Sequence, residues 1–344
     1  MSKPDPMRDD METGVVGGGT APARPPARLK QTRRAFPGGG SSPEQELPFF
    51  SIVIPTYMRP QSLAQCLQAI ADADYPKDRM EVIVVDDGGA PVPDSVTPSF
   101  AGPLPVRHVR QGHAGPAAAR NRGAKLAQGD YLAFVDDDCR VSATWLRVMA
   151  GVFREHPDCA ATGHTENLLT GNPFSQASQD LIGFLYARHN TTPDRARFLT
   201  SNNLVISSRL FHRVGGFDTC FPHAAGEDRD FCDRLLSAGH RLVYVPEAVV
   251  FHAHHLSMRS FLRQHFCYGR GAFRFHLLRS RRRRERIRLE PFRFYCALMG
   301  HAFKVCRGSK ALSLLFLLGL TQIATGLGFA RQRFQAPCAQ RSDP

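Results

Sequence analysis

The sequence predicts an α/β fold on an open sheet containing parallel βαβ units, and three observations carry this. Three short runs rich in β-branched residues, FFSIVIP (49–55), MEVIVVDDGG (80–89) and YLAFVDDD (131–138), each stop at proline or aspartate, as buried strands do. The segment joining the first two has its apolar residues at helical rather than alternating spacing. The order strand, helix, strand is the signature of a parallel crossover unit.

Residues 1–48 are rich in Pro, Gly, Ser and Arg without helical or strand periodicity, and are expected to be a disordered leader. They contain no apolar run resembling a signal peptide. The first strand follows, then a helix over 61–73 with Leu63, Cys66, Leu67 and Ile70 on one face. After the second strand and a Pro-rich loop, PVRHVR (105–110) reads as another strand. GHAGPAAARNRGAKLAQGD reads as a helix, with Pro116 near its start and Gly129 at its end. The strand YLAFVDDD precedes a helix around 145–155, and a less regular stretch then runs to Thr200. SNNLVIS (201–207) is a strand, and AGEDRDFCDRLLSAGH (225–240) is a helix whose acidic first turn suits the helix dipole. RLVYVPEAVVFHAHH supplies the last strand and closes a domain expected to span 49–255.

The chain has 344 residues, 42% of them hydrophobic and 22% charged, so one large core is expected. Its net charge of +13 is uneven. Residues 49–255 hold 19 Lys and Arg against 22 Asp and Glu, whereas residues 256–344 hold 18 against three. Basic segments of this kind meet nucleic acid, anionic lipid or an acidic partner. Nine cysteines stand singly with no CxxC pair, which argues against a disulfide framework or cysteine zinc site and suits a reducing cytosol.

Open α/β sheets bind ligands beyond the carboxyl ends of their strands. Asp86 and Asp87 end one strand there, and Asp136, Asp137 and Asp138 end another. A single acidic strand end is ordinary turn chemistry, but two on one edge point to a site. Crowded carboxylates repel where water is scarce, and a divalent cation relieves that repulsion. The first cluster could accept a hydrogen bond from a nucleobase or ribose. The second could hold Mg²⁺ or Mn²⁺ against a diphosphate. A third cluster, Glu227 and Asp228, opens a helix directly after Gly226. A carboxylate fixed there with access to water can act as a general base, and a helix-capping acid is the simpler alternative. Neither GxxxxGK[ST] nor GxGxxG occurs, which removes the usual NTPase and dinucleotide fingerprints.

Together these motifs resemble the family-two glycosyltransferases, inverting enzymes of the GT-A fold. SIVIPTYMRP, VIVVDDGG, GPAAARNRGAKLAQGDYLAFVDDD, NNLVISSRLFHRVGGFD and FPHAAGEDRDFCDRLLSAGHRLVYVPEAVVFHAH occur in the family's order. The resemblance implies a Rossmann-like mixed, mainly parallel sheet flanked by helices. It implies that Pro55, Thr56, Tyr57 and Arg59 border the nucleotide, that Asp87, with Asp86, reads the base, and that Arg120 lies near the phosphates. Asp138 becomes the expected direct metal ligand, with Asp136 as a second candidate, while Asp136 or Asp137 holds the ribose or a metal-bound water. Asp228 becomes the expected catalytic base and Glu227 an acceptor-positioning neighbour. His252 or His254 could add a metal or phosphate contact, against the simpler reading of both as surface histidines. The implied reaction is metal-dependent transfer from a nucleoside-diphosphate sugar to a hydroxyl of a glycan or lipid-linked acceptor. Acceptor recognition is expected in 166–197 and the C-terminal region. Processive members carry QxxRW after the catalytic aspartate, and QHFCYGRG (264–271) lacks the Arg-Trp pair, so non-processive transfer is expected.

Beyond residue 255 a basic, aromatic helical segment is expected over 256–310, with seven arginines between 279 and 288. Residues 311–330 carry no charge and as a helix span about 30 Å, one bilayer core. They are expected to cross the membrane or lie in its interface, with a buried helix as the alternative, and 331–344 form a tail. The arginines favour docking to an anionic leaflet from the cytoplasmic face, each worth about 1 kcal/mol. Two rival readings remain. Arginine-aromatic interleaving could bind nucleic acid from an inactive transferase core, but the intact acidic clusters argue against it. A sugar-phosphate nucleotidyltransferase would need a Gly-rich loop after the first strand, and PTYMRP offers none.

Overall fold

The computed structural model describes residues 47–88, 104–192, 195–221, 225–287 and 290–335. The leader expected over 1–48 lies outside them except for its last two residues, as do residues 336–344 of the tail and most of the Pro-rich loop after the second strand.

The sheet contains β1 (Phe50–Thr56), β2 (Met80–Asp86), β3 (Val106–Arg110), β4 (Tyr131–Val135), β5 (Cys139–Val141), β6 (Ala160–Asn167), β7 (Asn203–Ser207) and β8 (Leu242–His252). Their order is β3-β2-β1-β4-β7-β6-β8-β5. The pairs β1–β2, β1–β4, β2–β3 and β6–β8 are parallel, while β4–β7, β6–β7 and β5–β8 are antiparallel. The sheet is therefore mixed and mainly parallel, as the sequence predicts. The ends of β1, β2 and β4 put Thr56, Asp86–Asp87 and Asp136–Asp138 at one edge.

Both faces of the sheet are covered, which is why β1 and β2 read as continuous apolar runs. Phe50, Ile52 and Ile54 pack with Leu63 and Leu67 of α1 (Pro60–Ala71) and with Trp145, Met149 and Phe153 of α3 (Trp145–Glu155). On the other face Val53 meets α2 (Pro116–Leu126), near α5 (Ser208–Val214) and α6 (Glu227–Ser237). Gly123 lets α2 settle there, since a Cβ would stand 2.3 Å from Val53 Cγ1.

The stretch before Thr200 is more regular than its sequence indicates. It contains β6 and α4 (Pro173–His189). The strand AATGHTEN hides its alternation because small and hydroxylated residues fill a crowded position, with Thr162 donating to the Asn203 carbonyl at 2.5 Å. The helix has a legible start, because Asn172 Oδ1 accepts from the Phe174 and Ser175 amides and Pro173 follows. Its buried positions mix Ser175, Ala177, Ser178 and Leu181, which blurs the apolar stripe. A register break between Gly163 and His164 bulges residues 246–248 out of β8; a Cβ on Gly163 would meet the Ala248 carbonyl at 1.7 Å.

The C-terminal segments form α7 (Met258–Arg283), α8 (Phe292–Val305) and α9 (Ser309–Gln335), packed with α4 around Phe261, Phe294, Leu298, Leu314 and Leu318. Glycines allow two close contacts along α7. A Cβ on Gly269 would lie 1.9 Å from the Thr325 carbonyl of α9, and one on Gly271 would lie 2.0 Å from the Ala225 carbonyl beside α6. Backbone blocks both sites, so no side-chain rotation relieves the clash. Gly271→Val is expected to cost at least about 1–3 kcal/mol, read as a lower urea midpoint with unchanged slope. An unchanged midpoint would refute this tight seat for α7.

The arginine cluster is partly spent inside the protein. Arg282 reaches Asp230 at 2.7 Å and Asp233 at 2.9 Å, and Arg283 reaches Asp233 at 2.8 Å. These pairs tie the end of α7 to α6, which corrects the expectation that the whole cluster serves an external surface. The apolar helix α9 is long and apolar enough to cross a membrane, with a window of mean hydropathy 1.8 that is 33% buried. Its outward face carries exposed Leu312, Phe316, Ile323 and Leu327.

Candidate active site

The turn after β1 meets the end of β4. Thr56 Oγ1 donates to Asp137 at 2.7 Å, and Arg59 bridges Asp137 and Asp138, each at 2.7 Å. Burial raises the Asp137 carboxyl to about 7, against the pull of Arg59. Pro55 is buried within β1. Tyr57 lies across the His113 ring with centroids 4.6 Å apart, an aromatic pair that the sequence marks only through Tyr57.

Asp86 and Asp87 are both buried, and their partners differ from the expected base contact. Asp87 accepts from Gln111 Nε2 at 2.7 Å and from the Ala114 and Gly115 amides at 2.9 and 2.8 Å, with His113 Nδ1 2.9 Å away. Its two oxygens thus anchor the loop entering α2. Asp86 accepts from the Gly88 amide at 3.1 Å and lies 3.7 Å from Arg110. Asp86 Oδ2 has no hydrogen-bond partner among the described residues.

Pairing of β5 with β8 aligns Cys139 with His252 and so sets Asp138 beside the end of β8. Asp138, His252 and His254 each place a ligand atom within 4.8 Å of the others. Burial opposes the charged form of Asp138, but His252 at 3.2 Å prevails and holds its carboxyl well below the usual range. Both histidines are partly buried and line the site cavity, so neither is an ordinary surface histidine. A carboxylate with two imidazoles is a donor set that could hold a divalent ion. Asp136 stands outside this trio and accepts from Arg120 at 2.6 Å through Oδ1.

Arg120 is 3% exposed on α2 and lies between two carboxylates, Asp136 and Glu227, the latter at 3.4 Å. Burial disfavours its charge, but Asp136 and Asp228 outweigh that and hold it protonated. Gly226, at φ 94°, turns the chain into α6 and aims Glu227 and Asp228 inward. Asp228 Oδ2 accepts from the Ser201 amide at 3.1 Å, while Asp228 Oδ1 and Glu227 Oε2 have no hydrogen-bond partner among the described residues. Burial raises both carboxyls; Asp228 adds to the rise at Glu227, and Arg120 opposes it at both.

Part of this set lines one cavity of about 440 Å³, while Pro55, Thr56, Tyr57, Asp86, Asp87 and Asp137 stand outside its lining. Arg59, Arg120, Asp136, Asp138, His252 and His254 stand at its sheet edge, with Glu227 and Asp228 on the wall formed by α6. Gln264, His265 and Tyr268 of α7 also line it, and Gln264 Nε2 donates to the Tyr268 hydroxyl at 2.7 Å. The sequence singled out this part of α7 as basic and aromatic and as lacking Arg-Trp, and not for these three side chains. Thr165, Ser178 and Gln179 come from the stretch where acceptor recognition was expected, or from its border.

Residues 51–215 match the family model described as Glycosyl transferase family 2. A pre-mycofactocin glycosyltransferase of Mycobacterium tuberculosis is 33% identical over 201 residues, covering 56% of this chain and 42% of that protein. The chain thus spans under half the length of that relative. Glycosyltransferase AglE of Haloferax volcanii is 25% identical over 247 residues, covering 67% of this chain and 75% of its own. Among solved structures, a mannosyltransferase from Pyrobaculum calidifontis in complex with GDP-Man and Mn²⁺ has TM-score 0.59 at 16% identity, covering 85% of this chain and 88% of that one. That likeness establishes a shared fold.

Proposed function

We propose that this chain, whose residues 51–215 match the Glycosyl transferase family 2 model, is a member of that family and transfers a sugar from a nucleoside-diphosphate donor to an acceptor hydroxyl with inversion. The observation that carries this reading is Asp228 on the cavity wall, one oxygen held by Ser201 and the other without a partner among the described residues. Asp228 Oδ1 takes the proton of the acceptor hydroxyl as its oxygen bonds to the anomeric carbon. The bond from that carbon to the diphosphate breaks on the opposite side. The electron pair leaves with the nucleotide. Arg120 fixes Glu227 next to the base and Asp136 across the cavity.

Asp138, His252 and His254 are the residues that would hold a divalent ion. When bound, the ion supplies positive charge against the departing diphosphate. Tyr57, Thr56 and Arg59 border the nucleotide in this reading, with Asp86 and Asp87 shaping that edge through the loop they anchor. Transfer of one or few sugars fits the absent Arg-Trp pair. The outward face of α9 would rest on a membrane, with the site on its cytoplasmic side.

The reading is tested by a screen of nucleoside-diphosphate sugars with Mn²⁺ or Mg²⁺, measuring slow release of nucleotide without acceptor. One donor class should be hydrolysed. Failure of every donor with either ion would sink the proposal.

A further inference from the structure

We propose that the inner end of this cavity is a binding site for the hydrocarbon chain of a lipid acceptor, whose hydroxyl-bearing head lies at Asp228. This rests on the transferase reading for the head, but the chain site stands on geometry alone. The lining changes character from one end to the other. The sheet edge and the start of α6 are acidic and basic. The middle is polar, and its buried atoms Thr165 Oγ1, Gln264 Oε1 and His265 Nδ1 have no hydrogen-bond partner among the described residues. Buried polar groups of this kind mark where a polar ligand completes the bonding. The far end is walled mainly by Leu181, Ile182 and Leu185 of α4, Phe294 and Tyr295 of α8 and Phe329 of α9, with Arg229, His276 and Glu290 also in the lining.

A water-soluble glycan has no use for an apolar end placed beyond the polar band. A single occupant matching all three zones is an amphiphile with a polar head and a long apolar tail. The helices that wall the apolar end also supply the protein's exposed apolar stripe. Phe292 and Phe303 of α8 are 82% and 57% exposed, and α9 adds Phe316 and Ile323, each 62% exposed. A chain leaving between these helices would pass from the cavity to a surface suited to lipid without crossing water.

The test uses the full chain in detergent and a twelve-carbon alcohol with a diazirine at its far end, photolysed and mapped by peptide mass spectrometry. Label should fall on residues 181–185 and 294–295, and excess unlabelled dodecanol should remove most of it. Leu185→Trp, which fills the apolar end, should reduce that label at least fivefold, while Phe316→Ser on the outward face should not. Label confined to the outward face of α9, or label in the cavity that dodecanol fails to compete, would overturn the chain site. Donor hydrolysis by the same preparation reports separately on the transferase reading, so loss of one leaves the other standing.

Discussion

Asp228→Asn should lower kcat by about 10²–10⁴-fold, the range a positioned general base contributes, while leaving donor affinity nearly intact. The reasons lie in its two oxygens. Asparagine keeps an oxygen able to accept from the Ser201 amide, so the start of α6 holds its shape. The other position can no longer take a proton. Equilibrium binding of the nucleotide-sugar identified by the donor screen, alongside single-turnover transfer, separates the effects. A variant with weakened donor binding and an undiminished transfer step would remove Asp228 from the base role. The pH profile offers a second check. Burial raises the Asp228 carboxyl, opposed by Arg120. The base must be ionised, so kcat/KM should fall as pH drops through that raised value, with its acid limb above ~4, the ordinary aspartate range.

Arg120→Met should be the most damaging change to stability, at about 3–5 kcal/mol. Its guanidinium is buried between Asp136 and Glu227, so removal leaves two carboxylates without their counter-charge. Methionine replaces most of the volume, which separates the charge effect from a cavity. The packing of Arg120 against the Phe217 ring, at 5.8 Å, would be largely kept. Urea unfolding of the variant and of Arg120→Met/Glu227→Gln should show the second change recovering part of the loss, because one stranded charge is gone. Equal stability of Arg120→Met and the parent would show that the pair contributes nothing net.

The sheet was legible because burial on both faces leaves β1, β2 and β4 as unbroken apolar runs. The acidic edge was legible for the same reason: turn chemistry at the strand ends stands out against them. What stayed hidden depends on contacts between distant segments. Nothing in the spacing of HAH reveals that β8 pairs with a three-residue strand carrying Asp138 into its reach. The partners of Asp87 were equally hidden, since the amides it accepts from belong to a loop some 27 residues later. The arginines of 279–283 carried a correct charge and an incomplete address, since only folding shows that Asp230 and Asp233 wait for them. β6 and α4 failed for a local reason: serines, threonines and alanines at packed positions mimic a loop.

The bulge in β8 divides that strand into two parts with different tolerance for change in length. Residues 246–248 already stand outside the ladder between Gly163 and His164, so a residue gained or lost there alters a loop and leaves the pairing beyond it in phase. From Val249 to His252 the strand is in step with β6 on one side and β5 on the other. A one-residue slip there would turn His252 to the opposite face and carry it away from Asp138. The chain can vary its length before Val249 and must keep count after it, because Asp138 and His252 are brought together by counting along two strands.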